Sequence, residues 1–178
     1  MPDSSGRLFL YEALELRSEY TARIKTLRDL MPQSRRSRDL FAYSRTEEAK
    51  LRPASGFDPA KAREELRSME KRQRLLNAAI QQANFEHNIE HAGETLRLTE
   101  ALEVRKATND RLAELHNQLV QSAYERVIYK EDRDIVEEPD VAYSEARAEL
   151  DAARREFRQL NRALRAASFE VTVDFRDE

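Results

Sequence analysis

Apolar side chains return every three or four positions at Ala13, Leu16, Tyr20, Ile24, Leu27 and Met31. The same stepping recurs at Ala62, Leu66, Met69, Gln73, Leu76, Ile80 and Ala83. It recurs again at Ala101, Val104, Thr108, Leu112, Leu115 and Leu119, and at Ala146, Leu150, Ala153, Phe157, Leu160, Leu164 and Ala167. This is the period of one face of an α-helix, so the chain predicts four amphipathic helices. Two stretches break the period. Arg126-Val127-Ile128-Tyr129-Lys130 is β-branched and aromatic, and predicts a short strand with Asp134–Glu137 as its partner. Phe169, Val171, Val173 and Phe175 alternate with Glu170, Thr172 and Asp174, which predicts a strand in the C-terminal tail. Such a strand needs an edge, from the connector hairpin or from another subunit.

The four helices are two copies of a pair. At an offset of 88, "LYEALELRSEYTARIKTL" (10–27) meets "LTEALEVRKATNDRLAEL" (98–115), with identities at Leu10, Glu12, Ala13, Leu14, Glu15, Arg17, Arg23 and Leu27. At an offset of 84, "AREEL" (62–66) meets "ARAEL" (146–150), and "LNAAIQQANFE" (76–86) meets "LNRALRAASFE" (160–170). Two matches in the same order point to a tandem duplication, with repeats at about 8–91 and 96–175 inside a single domain. One helical hairpin cannot bury both of its seams. The fold expected is therefore all-α: duplicated helical hairpins forming a four-helix bundle with coiled-coil-like seams, plus short β segments in the connector and the C-terminal tail. The first connector holds Pro32, Pro53, Gly56 and the basic run Arg35-Arg36-Ser37-Arg38. Phe57-Asp58-Pro59 after it reads as a helix start, with Asp58 as N-cap and Pro59 in the first turn.

Composition agrees. Charged residues make up 37% of the chain and hydrophobic ones 40%, with three glycines and five prolines, which suits long helices with narrow seams better than a thick core. A net charge of −3 builds no strong field for nucleic acid or an anionic membrane. No apolar run is long enough to span a bilayer, and "MPDSSGRLFLYEAL" lacks the basic and apolar regions of a signal peptide. The absence of cysteine excludes disulfides, thiolate catalysis and cysteine metal sites, and fits a cytoplasmic protein.

One candidate for chemistry is the H-x-x-E-H string His87-Asn88-Ile89-Glu90-His91. On a helix this spacing puts two imidazoles and a carboxylate on one face, as inverzincin metalloproteases use to hold zinc and activate water. The repeat, however, aligns "FEHNIEH" with "FEVTVDF", and Gly93 follows closely, so an extended segment is expected instead. A metal site at His87, Glu90 and His91, serving a hydrolase, is then the alternative reading, and no metal or cofactor is the leading one. The remaining histidine, His116, falls on an exposed helical position. Asn77 and Asn161 each follow a seam leucine, and Asn84 lies further along the same helix, with Ser168 as its counterpart. Such asparagines either fix register across a seam, line a polar pocket, or sit in solvent. The stripe Arg154, Arg158, Arg162 and Arg165 is interleaved with acids, which favours ion pairing on a solvated face over phosphate binding. No phosphate loop, Ser/His/Asp set or paired-carboxylate signature stands out, so no catalytic residue is assigned.

The order of motifs resembles a bacterial family known as septicolysin-like. The resemblance is carried by the opening helix "EALELRSEYTARIKTL", the I-x-x-x-N string Ile80-Gln81-Gln82-Ala83-Asn84, the segment Gly93-Glu94-Thr95-Leu96, the helix "LTEALEVR" and the connector Tyr124-Glu125-Arg126. It covers most of the chain. Ser168-Phe169 stands where Asn-Trp is usual. The family name implies a thiol-activated pore-former, so a membrane-acting pore-forming protein stands beside the metal-dependent hydrolase as an alternative function. The expectation is a non-enzymatic structural or interaction protein. It would form a homo-oligomer, with other protein partners open, and would engage neither nucleic acid nor a membrane span.

Overall fold

The computed structural model describes residues 7–31, 53–130 and 133–177. Pro32 and the basic run at Arg35, Arg36 and Arg38 lie outside the described residues. The elements are β1 (Arg7–Phe9), α1 (Leu10–Asp29), α2 (Pro59–Glu86), β2 (Asn88–His91), β3 (Glu94–Arg97), α3 (Leu98–Gln121), β4 (Arg126–Lys130), β5 (Arg133–Glu137), α4 (Tyr143–Glu170) and β6 (Thr172–Asp174). The described chain is thus mostly helical, with short strands at the helix ends.

Local chemistry sets the helix starts. The Asp58 carboxylate accepts from the Ala60 N–H at 2.8 Å and from the Lys61 N–H at 3.4 Å, which caps α2 as the Asp-Pro sequence predicts. At α1 the Glu12 carboxylate reaches back to the Phe9 N–H at 2.8 Å. At α3 Glu100 does the same for the Arg97 N–H, also at 2.8 Å. Each carboxylate satisfies a donor that the helix leaves open and stands in the favourable field of the N-terminus.

The contacts divide the chain into two units, one of residues 1–80 with 172–178 and one of residues 81–171. In the first, Ala13, Tyr20, Ile24 and Leu27 of α1 and Ala62, Met69, Leu76 and Ile80 of α2 are buried, together with Val173 of β6. Polar contacts fasten the two helices: Gln73 donates to the Thr21 hydroxyl at 2.8 Å, and Arg28 pairs with Glu70 at 2.7 Å. In the second unit, Leu115 of α3 packs with Leu150 and Ala153 of α4, flanked by Leu112 and Leu119. Arg111 bridges to Glu149 at 2.8 Å on the exposed side of that pair. Leu150 retains 1% of its exposure, and burying a leucine so fully contributes about 2 kcal/mol.

Every strand sits in a two-stranded antiparallel ladder. β1 pairs with β6 in the register Arg7↔Asp174, Leu8↔Val173 and Phe9↔Thr172. β2 pairs with β3 in the register Asn88↔Arg97, Ile89↔Leu96, Glu90↔Thr95 and His91↔Glu94. Adding 88 to β1 and subtracting 84 from β6 converts the first register into the second, residue for residue. A tight turn closes β2–β3, with Ala92 at φ 52° and Gly93 at φ 85°, the paired left-handed conformations of a type I′ turn.

The strands at 126–130 and 133–137 form the expected connector hairpin. The tail differs from expectation in two respects. Helix α4 runs on through Phe169 and Glu170, so the strand is confined to Thr172–Asp174. Its edge comes from β1 of the same chain, and so from neither the connector hairpin nor another subunit. Strands β1 and β3 carry too few residues for an alternating pattern to announce them.

Candidate functional site

The H-x-x-E-H string straddles an element boundary. Helix α2 ends at Glu86, His87 links, and β2 begins at Asn88. Along the strand, burial alternates: Asn88 and Glu90 are exposed, Ile89 and His91 buried. Glu90 and His91 therefore project from opposite faces. His87 turns back on its own helix, with Nδ1 2.9 Å from the Ala83 carbonyl oxygen. Glu90 accepts from the hydroxyl of Thr95, its ladder partner, at 2.5 Å. The one-faced helical array that this spacing would need for zinc is not formed. Among the described residues, no group of three or more His, Cys, Asp or Glu is placed to hold a metal ion. His91 is 9% exposed, and its Nε2 is buried without a hydrogen-bond partner.

His87 and Glu90 instead stand on the rim of a groove of about 360 Å³ between the start of β2 and the end of α4. Ala163, Ala166 and Ala167 line its α4 side, and Glu170 joins the rim. Methyl groups and carboxylates suit a small apolar or cationic group. His87 and Glu90 are already engaged with Ala83 and Thr95, so neither is set against a nucleophile.

The asparagines do not act as one site. Asn161 donates to the Phe157 carbonyl at 3.0 Å, one turn back on its own helix, which commits its amide along α4 and not across a seam. Asn77 and Asn84 are half-buried on α2. In the arginine stripe, Arg154 pairs with Asp151 at 3.4 Å, in keeping with ion pairing on a solvated face.

Two features were not singled out from sequence. The first is a polar cluster in the first unit. The Tyr20 hydroxyl donates to Asp177, and Arg72 lies 3.5 Å from the same carboxylate. Burial, helped by that bond to a carboxylate and partly offset by Arg72, pushes the Tyr20 phenol up to about 12. This arrangement fastens the tail to α1 and α2. The second is apolar surface on the α3–α4 connector. Tyr124 is 87% exposed, Tyr129 82% and Val136 50%, with Val127 and Ile135 also open to solvent.

No protein-family model matches the chain, and no curated protein does. Among solved structures, the chain is similar to a functionally unknown conserved protein from Corynebacterium diphtheriae, with a TM-score of 0.68 and 22% identity over 94% of this chain and 99% of that one. At that identity the likeness is one of fold: this chain shares the architecture of the corynebacterial protein along nearly its whole length.

Proposed function

We propose that the protein is a non-enzymatic cytoplasmic module that assembles with itself, built by tandem duplication of a strand–helix–helix–strand unit whose four helices form a bundle. The observation that carries the reading is the β4–β5 hairpin. It puts Val127, Tyr129, Ile135 and Val136 on the surface of a chain otherwise rich in charge. A two-stranded hairpin standing in water is marginal by itself, and large apolar side chains gathered on one mark a contact surface. The shared ladder register and the matching Glu12 and Glu100 caps support the duplication. Kinship with the septicolysin-like family is part of the proposal and rests on motif order. As for that family's name, no helix among the described residues is long and apolar enough to cross a membrane.

Light scattering on the untagged protein at micromolar concentration, with metal analysis of the same sample, tests the reading. The expected result is a mass that is a multiple of 20.8 kDa, with no stoichiometric metal. A monomer would overturn it. So would bound zinc that disappears, along with a hydrolytic activity, in the His87→Ala, His91→Ala double variant.

A further inference from the structure

We infer that the occupant of the hairpin's surface is a second copy of the chain, joined edge to edge along β5 about a two-fold axis, so that two hairpins make one four-stranded antiparallel sheet. The inference rests on the self-assembly reading above and names the surface that would carry it.

Strand β5 reads Arg133-Asp134-Ile135-Val136-Glu137, and β4 covers one of its edges in the register Arg126↔Glu137, Val127↔Val136, Ile128↔Ile135 and Lys130↔Arg133. A connection of two residues makes the closing pair Lys130↔Arg133 a hydrogen-bonded one, and the pattern alternates from there. Arg133, Ile135 and Glu137 then turn their backbone groups toward β4, and Asp134 and Val136 turn theirs outward. The outer edge thus offers unpaired N–H and C=O groups at two positions, the template that another strand completes.

Charge selects the partner. Laid antiparallel on itself about Ile135, β5 puts Asp134 against Val136 of the second copy, which are the positions with outward backbone groups. It also puts Arg133 against Glu137 at both ends. Within its own hairpin Arg133 is in register with Lys130, of like sign, whereas the second copy sets it in register with a carboxylate. Glu137, 3.5 Å from Arg126 of its own chain, would then lie between two arginines. Strand β4 fails the same test: laid on itself about Ile128, it sets Arg126 against Lys130. Opposite charges across strands stabilise a pair and like charges oppose it, so of the hairpin's two edges it is the β5 edge that is self-complementary. An isologous contact of this kind closes as a dimer.

The pairing makes Ile135 its own neighbour at the axis, in a non-hydrogen-bonded position with Cα atoms about 4.5 Å apart, within disulfide range. The chain has no cysteine, so Ile135→Cys carries a single thiol. Mild oxidation of the full-length variant is expected to give a disulfide-linked dimer at least about tenfold faster than Tyr129→Cys, whose position is far more exposed but lies on the wrong strand. Arg133→Glu in the Ile135→Cys background is expected to slow the linkage, and adding Glu137→Arg to restore it. Val136→Pro, which removes an outward N–H that β4 does not use, is expected to weaken the wild-type dimer about tenfold or more while the helical circular dichroism is kept. If the wild type assembles but Tyr129→Cys links as fast as Ile135→Cys, or Val136→Pro and Arg133→Glu change nothing, the β5 edge is wrong and self-assembly stands. If the wild type is a monomer, both fail.

Discussion

Ile89 faces Leu96 across the β2–β3 ladder, and the two repeat offsets carry this pair onto Val173 and Leu8, which face each other across β1–β6. The end of one repeat pairs with the start of the other in both ladders. Ile89 and Val173 are both buried, so the equivalence extends from register to packing. Because β6 pairs with β1 of the same chain, the tail strand does not need a second subunit for its edge.

The caps follow from the same equivalence. Glu12 and Glu100 each bind the backbone N–H three residues earlier at 2.8 Å. Glu12→Ala and Glu100→Ala are each expected to cost about 1 kcal/mol in urea unfolding, and to agree within a few tenths. A large cost at one position and none at the other would show that the two helix starts are not equivalent.

The repeat also indicates how to repair an unsatisfied group. His91 buries Nε2 without a partner, and the position that the offset of 84 assigns to it is Phe175. Leaving a polar atom unsatisfied in the interior costs about 1–3 kcal/mol, while an aromatic ring of similar size fills the space. His91→Phe is expected to raise the melting temperature by several degrees. A drop would mean that the imidazole has a partner in solution.

Much of this was legible in the sequence, because long helices write their period many times. Ala13, Tyr20, Ile24 and Leu27 were expected in a seam and are buried, as are Leu76, Ile80, Leu150 and Leu160. The connector hairpin announced itself through Val127, Ile128, Ile135 and Val136. Strands β1 and β3 did not: "RLF" and "ETLR" hold too few apolar residues to show alternation, and only ladder partners far away or across a turn make them strands. The Asn161 amide illustrates the limit for sites. Its place beside a seam leucine is visible in the sequence, but its bond to Phe157 is a choice among rotamers. The groove beside His87 was equally hidden, since it depends on α4 alanines almost 80 residues away along the chain.

The turn between Ile89 and Leu96 has a substitution that should strengthen it. Ala92 holds φ 52°, where a Cβ costs about 1 kcal/mol, and Gly93 follows in the same region. Asparagine before glycine is the preferred type I′ pair. Ala92→Asn is expected to stabilise the protein by about 0.5–1 kcal/mol in denaturant unfolding. No gain would indicate that the loop relaxes to another conformation.

The Tyr20–Asp177 bond gives stability an alkaline limit. The phenol is raised from 10.0 to about 12 in the folded protein, chiefly by burial and then by Asp177. A group raised in the folded state stabilises it fully below its unfolded value and loses that contribution as pH climbs through the folded one. Stability is therefore expected to fall between pH 10 and 12, by an amount that Tyr20→Phe removes. The same variant should cost about 1 kcal/mol at neutral pH. An identical alkaline decline in wild type and Tyr20→Phe would assign it to another group.

Amide hydrogen exchange along β5, followed as the protein is diluted, reports directly on whether copies meet at this edge. The N–H groups of Arg133, Ile135 and Glu137 turn toward β4 and should be protected alike at every concentration at which the hairpin is folded. Those of Asp134 and Val136 turn outward. They are expected to be protected when the protein is concentrated and to exchange at close to free rates when it is dilute; in Val136→Pro, which has no N–H at 136, Asp134 is expected to exchange at close to the free rate even when concentrated. Fast exchange at Asp134 and Val136 in a concentrated sample, with Arg133, Ile135 and Glu137 still protected, would contradict assembly through this strand.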